Sequence, residues 1–446
     1  MRISILFLLL LGLSACLKID QTFTKIPPGP WRAVLQLEPS MVTPNPKGKP
    51  LDEKLNLTFE EVANGELPFT FEVAYTDDTT FHLDIINGQE RIRVPAEHIS
   101  FGHTREDIKD TIRIDFPIYD TYIIGRYEEG LIEGHWVVNY REEYRIPFIA
   151  RFGQNHRFTK LRKPPITDVS GKWAVTFGLA EGEEPYPAIG EFVQDGNRVT
   201  GTFQTETGDY RFLEGTIQGD KLYLSVFDGA HAFLFEARIA ATGDQLVGYF
   251  RSGTHYRTIW EAKRDATAKL PDPNSLTKVV GPDKRLNFTF PNTDGELISL
   301  ADSAFTGKVK LVQIMGTWCP NCLDETRFLL RYLSENAHPD LQVLAIGFER
   351  YRDADKALAA LRRYQKQLNI PYPVLWGGYY DKSEAAQSFP MLSRILAYPT
   401  LLFVDRNNEI QFVHTGFNGP ATTEYAAFAQ WFKTTIEAMI HSENTQ

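Results

Sequence analysis

Cysteine is scarce in this chain: there are three in 446 residues, Cys16, Cys319 and Cys322. So few exclude a disulfide-stapled scaffold and cannot alone supply a four-cysteine zinc or iron-sulfur site. Positive charge is also in deficit, 47 Lys and Arg against 57 Asp and Glu, a formal net charge of -10. With no overall field to gather phosphates, nucleic acid is not an expected partner. Beyond the first sixteen residues no apolar run approaches the roughly twenty residues of a transmembrane helix. None of the ten histidines stands in His-x-His or His-x-x-x-His spacing, so neither a metal nor a cofactor is expected. What remains is ordinary globular composition, 43% hydrophobic and 23% charged, in a chain long enough for about three domains.

The ends of the chain differ in character. Met1-Arg2 gives a positive start, residues 3–13 are almost wholly apolar, and Ser14-Ala15 leads to Cys16, the pattern of a secretory signal over 1–15. Leu13-Ser14-Ala15-Cys16 resembles a bacterial lipobox. That resemblance implies cleavage before Cys16, acylation of that residue, and a tether over 16–28 holding a periplasm-facing protein to a membrane of the bacterial envelope. Leu17 leans the sorting toward the outer membrane. The alternative is an ordinary cysteine beside an ordinary cleavage site.

Residues 29–265 alternate short apolar and polar runs, as in Phe69-Thr70-Phe71-Glu72-Val73 and Lys221-Leu222-Tyr223-Leu224-Ser225-Val226-Phe227, with turn signals at Asn87-Gly88, Asp195-Gly196 and Gly219-Asp220. Gly29-Pro30-Trp31 and Gly171-Lys172-Trp173 open similar stretches, so the region reads as two related β units, 29–162 and 168–265, each a small sandwich or up-and-down barrel, or else as one continuous β domain. Its aromatics are expected in the core rather than around a ligand, and no site is assigned to it. A Pro-rich linker over 266–284 follows.

Residues 285–446 alternate strands and helices, the pattern of an α/β layer fold. An apolar strand, Val309 to Met315, runs through Gly316-Thr317-Trp318 into Cys319-Pro320-Asn321-Cys322, where a helix begins. A thiol at a helix N-terminus faces unpaired N–H groups and the positive end of the dipole, which favour thiolate at Cys319. Cys319 is therefore the expected nucleophile, and Cys322, one turn deeper, the resolving thiol. Pro320 stiffens the first turn without costing a needed hydrogen bond.

Trp318-Cys319-Pro320-Asn321-Cys322 after a buried strand, with Tyr398-Pro399-Thr400 opening a later one, resembles the thioredoxin superfamily, and within it the TlpA/ResA-like, membrane-tethered thiol-disulfide oxidoreductases. The resemblance begins near Gly281 and omits the β region. It implies a cis Pro399 beside the cysteines, a substrate-docking surface of Trp318, Pro320, Tyr398 and Pro399, and a proton-accepting role for Glu325. It also implies a cysteine-containing extracytoplasmic protein as substrate. Gln313 stands where thioredoxins often bury an Asp. With Cys16 acylated, no cysteine remains to re-reduce the pair, so an external thiol donor is implied, and relatives suggest a reductant. A structural disulfide or half of a zinc site are competing readings of the pair. A peroxiredoxin would want Thr where Gly316 stands. The competing reading of the whole chain is an envelope binding lipoprotein whose β region holds a ligand or partner.

Overall fold

The computed structural model of the protein describes residues 25–38, 65–77, 79–103 and 110–442. The expected signal segment, Cys16 and most of the tether lie outside the described residues. Among the described residues no helix is long and apolar enough to cross a membrane.

The first sheet has nine antiparallel strands: β1 (Gly29–Gln36), β2 (Glu66–Tyr75), β3 (Phe81–Asn87), β4 (Glu90–Val94), β5 (Ile99–His103), β6 (Asp110–Phe116), β7 (Thr121–Glu128), β8 (Leu131–Val138) and β9 (Arg145–Phe152). They follow one another as a meander, β9 returns to pair with β1, and β4 and β5 are the two edges. The second sheet repeats the meander with β10 (Gly171–Phe177), β11 (Tyr186–Asp195), β12 (Arg198–Thr205), β13 (Gly208–Asp209), β14 (Leu213–Gln218), β15 (Lys221–Phe227), β16 (Ala232–Ile239), β17 (Gln245–Ser252) and β18 (Tyr256–Arg264). Here β11 pairs with β12 and β10 with β18, so the sheet closes into a barrel, with the two-residue β13 as a flap on β12. The Gly-x-Trp openings occupy equivalent places. Trp31 and Trp173 are buried on the first strand of each sheet, and each indole donates to the carbonyl four residues back, Pro27 and Val169.

Aromatic rings fill the barrel. Phe235 lies 4.6 Å from Phe203 and 4.5 Å from Phe250, with Trp173 and Trp260 fully buried beside them. The outside of β15 is buried as well, because the first sheet packs there: Phe227 stacks on Phe69 at 4.5 Å and meets Trp136 edge-on at 5.3 Å. Arg157, buried at this seam, donates to Ser225, Ile86 and Asn87. Burying a guanidinium is tolerable only with its N–H groups satisfied in this way.

The segment read as a linker is tied down by polar contacts. It carries a one-turn helix, α1 (Pro273–Leu276); the Asn274 amide oxygen lies 2.9 Å from His414 Nδ1, and Thr415 Oγ1 donates to Thr277 Oγ1. Beyond a small hairpin, β19 (Thr289–Pro291) and β20 (Leu297–Ser299), comes the α/β domain. Its elements are β21 (Val309–Met315), α2 (Pro320–Glu335), β22 (Leu341–Glu349), α3 (Ala354–Gln367), β23 (Val374–Tyr379), α4 (Lys382–Gln387), β24 (Thr400–Val404), β25 (Ile410–Thr415) and α5 (Tyr425–His441). The sheet order is β23-β22-β21-β24-β25, with β21, β22 and β23 parallel and the last two antiparallel. This is a thioredoxin-like arrangement, so the chain has an all-β N-terminal region and an α/β C-terminal domain.

Candidate active site

The site lies at the C-terminal ends of β21 and β22, where open α/β sheets expose loops and helix N-termini. Residue 319 caps α2: Cys319 Sγ accepts the Cys322 backbone N–H at 3.3 Å and donates to the Tyr398 carbonyl at 3.4 Å. Both cysteines are free thiols, Cys319 7% exposed and Cys322 fully buried. Burial, and then the neighbouring Cys319, push the Cys322 thiol well up. The bond from Tyr398 to Pro399 is cis. Trp318 donates to the Phe348 carbonyl and meets Tyr380 and Tyr398 edge-on, both at 5.6 Å.

Beneath the pair runs a buried polar chain. Gln313, in the middle of the fully buried β21, donates to Glu325 Oε2 at 2.8 Å and to the Cys322 carbonyl at 3.3 Å. Its own oxygen accepts from Thr326, whose hydroxyl accepts from Tyr364. Glu325 is fully buried, Oε1 has no hydrogen-bond partner among the described residues, and burial pushes the carboxyl up to about 8. A carboxyl in that range can both take and give a proton near neutral pH. Gln313 thus orients the buried acid Glu325 beneath Cys322.

Three groups at this site escaped the sequence reading. Glu349 ends β22 and accepts both the backbone N–H and the hydroxyl of Thr317, fixing the loop before the cysteines; burial pushes its carboxyl up to about 7. Arg350 follows it and lies over the Trp318 ring at 4.2 Å. A Glu-Arg pair after the apolar run Val343 to Phe348 of a parallel strand was the available signal.

The third group comes from the barrel, to which no site had been assigned. The turn at Gly208–Arg211 reaches the loop between the cysteines: Asn321 Nδ2 donates to the Asp209 carbonyl at 3.2 Å, and Arg211 donates to the Pro320 carbonyl at 3.4 Å. Gly208 has φ +133, which favours glycine, and a Cβ there would fall 2.1 Å from Asn321 Nδ2 and displace that side chain. Arg211 is buried and binds Asp324 of α2, Glu90 of the first sheet and Asp228 of the barrel. One guanidinium joins all three domains at the first turns of the cysteine helix. The residues read as a docking surface are correspondingly covered: Pro320, Tyr398 and Pro399 are buried and Trp318 is half-buried.

Residues 282–428 match the Redoxin family model. The chain is similar to the thiol-disulfide oxidoreductase ResA of Bacillus thuringiensis subsp. konkukian, 24% identical over 125 residues that are 28% of this chain and 63% of the relative. It is also similar to the thiol:disulfide interchange protein DsbE of Allochromatium vinosum, 29% identical over 115 residues, 26% of this chain and 57% of that one. The chain therefore spans less than two thirds of the length of these relatives. Among solved structures it resembles a thioredoxin family thiol:disulfide interchange protein from Chlorobium tepidum TLS, with TM-score 0.27, 22% identity, and coverage of 35% of this chain and 97% of that one.

Proposed function

We propose that this chain, whose C-terminal domain is a TlpA/ResA-like thioredoxin domain, is a thiol-disulfide oxidoreductase acting on cysteine-containing extracytoplasmic proteins. The observation that carries the reading is the dithiol at the head of α2, with Glu325 buried below it and bonded through Gln313 to the Cys322 peptide.

In the reductive direction Cys319 Sγ, as thiolate, attacks one sulfur of the substrate disulfide. The substrate S–S bond breaks, a mixed disulfide forms, and one thiolate leaves and takes a proton. Cys322 then gives its proton to Glu325 and attacks Cys319 Sγ, releasing the second thiolate, which is protonated in turn. The protein ends as a Cys319–Cys322 disulfide and the substrate has gained two electrons and two protons. Glu325 moves the proton because burial keeps the Cys322 thiol from ionising by itself. An external thiol donor re-reduces the pair.

Trapping tests this reading: Cys322→Ser should accumulate a mixed disulfide through Cys319 with model protein disulfides, and Cys319→Ser should abolish turnover. Turnover by Cys319→Ser at the unaltered rate would overturn it. Attachment to the envelope through acylated Cys16 is supported by the first sixteen residues. Fractionation of a Cys16→Ser variant tests it, with release from the membrane expected and unchanged membrane association contradicting it. The contacts of Asp209 and Arg211 with the Cys319–Cys322 loop favour a β region that takes part in the redox site over one that merely carries it.

A further inference from the structure

Beside the cysteine pair lies a cavity of about 200 Å³ that no step of the exchange uses. It forms where the three domains meet, and its lining includes Trp136, Arg141, His231, His255, Trp318 and Arg350. Among the described residues two guanidinium groups and no carboxylate line it. Arg350 is wedged among rings, 4.2 Å from the centroid of Trp318, 4.4 Å from Tyr380 and 5.2 Å from Tyr140. Such stacking engages the face of the guanidinium and leaves its N–H edge free. Arg350 Nε and Trp136 Nε1 are both buried with no hydrogen-bond acceptor among the described residues. Of the nearby buried carboxylates, Asp228 pairs with Arg211 and His231, and Glu349, within electrostatic reach of Arg350, accepts from Thr317. Arg350 is also within electrostatic reach of Cys319.

Desolvated donors without acceptors are costly, so a cavity lined by them is complementary to an acceptor that arrives with a ligand. Its position beside Trp318 means that the ligand carries that acceptor near its sulfur. The geometry points to an anion subsite in which Arg350, Arg141 and Trp136 Nε1 hold a carboxylate of the substrate close to the disulfide that Cys319 attacks. The inference rests on the oxidoreductase reading and adds to it a substrate class. A water occupies about 30 Å³ in the liquid, so the space equals roughly seven waters, that of an amino-acid-sized group and not a folded surface. Two sources supply this chemistry: a low-molecular-weight disulfide with free carboxylates, or an acidic residue next to the cysteine of an extended peptide.

The test uses the reduced full-length protein and follows oxidation of its cysteine pair by matched disulfides. One pair is glutathione disulfide against uncharged 2-hydroxyethyl disulfide; the other is a peptide disulfide with Glu beside the cysteine against its Gln counterpart. Wild type should prefer the anionic member of at least one pair, and the preferred pair identifies the source. Arg350→Gln should lower that kcat/KM ratio by about tenfold or more, the worth of one charge-assisted hydrogen bond, through KM, and Arg350→Lys should restore part of it. Should Arg350→Gln fail to fold, the same ratio is read in Arg141→Gln, where a fall is again expected. No anionic preference in either pair, or a ratio unmoved by the substitutions, overturns the subsite while leaving the oxidoreductase intact. A pair oxidised by none of the four disulfides overturns the oxidoreductase reading and the subsite with it.

Discussion

Replacing Glu325 with Gln should flatten the dependence of stability on pH. In the folded protein burial lifts this carboxyl from 4.5 to about 8. Between those values the folded state keeps a proton that the unfolded chain has lost, so folding is progressively disfavoured as pH rises through the interval. At about 1.4 kcal/mol per pH unit the whole interval corresponds to about 5 kcal/mol, an upper figure that local relaxation reduces. Gln fills the same space, can accept the Gln313 hydrogen bond, and does not titrate. Glu349 and Asp209, pushed up to about 7 and about 6 by burial, titrate in the same interval, so the informative quantity is the difference between variant and wild type. Denaturant unfolding of the reduced proteins from about pH 5 to above pH 8 should show the two stability curves diverging by several kcal/mol, Glu325→Gln being relatively more stable at the alkaline end. The same substitution should slow resolution of the mixed disulfide by about a hundredfold or more. Parallel stability curves would refute the reasoning, because they would mean that no buried carboxyl at position 325 titrates with folding.

Other expectations concern the junction of the domains. Arg211→Met removes the guanidinium shared by three carboxylates, Glu90, Asp228 and Asp324, and should cost about 3–5 kcal/mol at neutral pH, read as a lower thermal midpoint. Phe227→Ala empties the seam between the first sheet and the barrel and should cost about 3–5 kcal/mol by the same measurement; a loss below about 1 kcal/mol would mean that the seam is not packed as described. Gly208→Ala introduces a Cβ at φ +133 against Asn321 and should cost about 1–3 kcal/mol while speeding alkylation of Cys319, as the turn lifts from the cysteine loop.

Much of this organisation was legible in the sequence because it rests on local rules. Period-two alternation with Asn87-Gly88, Asp195-Gly196 and Gly219-Asp220 marks three hairpins whose pairs Asn87–Glu90, Asp195–Arg198 and Gln218–Lys221 each leave a two-residue loop. The strand, Trp318 and the cysteine pair at a helix start likewise give the heart of the redox domain. Closure of one sheet and not the other was not legible, since it depends on whether β11 meets β12 or β4 meets β5, and alternation is the same either way. Nor was the composite site. Arg211 and Asp324 are 113 residues apart and Asn321 and Asp209 are 112, and neither spacing has a local signature. Gly208-Asp209-Tyr210-Arg211 reads as an ordinary turn until the barrel is set against α2. The segment at 266–284 has the composition of a spacer, yet Asn274 and Thr277 find polar partners on β25 that composition cannot reveal.

The most direct test of the central claim is a redox titration of the soluble chain lacking its first sixteen residues, with the thiols of Cys319 and Cys322 counted across dithiothreitol and glutathione buffers. The two thiols should be lost and regained together as one two-electron couple, with a potential of about -270 mV or lower, as suits a reductant. A potential near about -120 mV would contradict the reductive direction, and a pair that does not cycle in any buffer would contradict the oxidoreductase assignment itself.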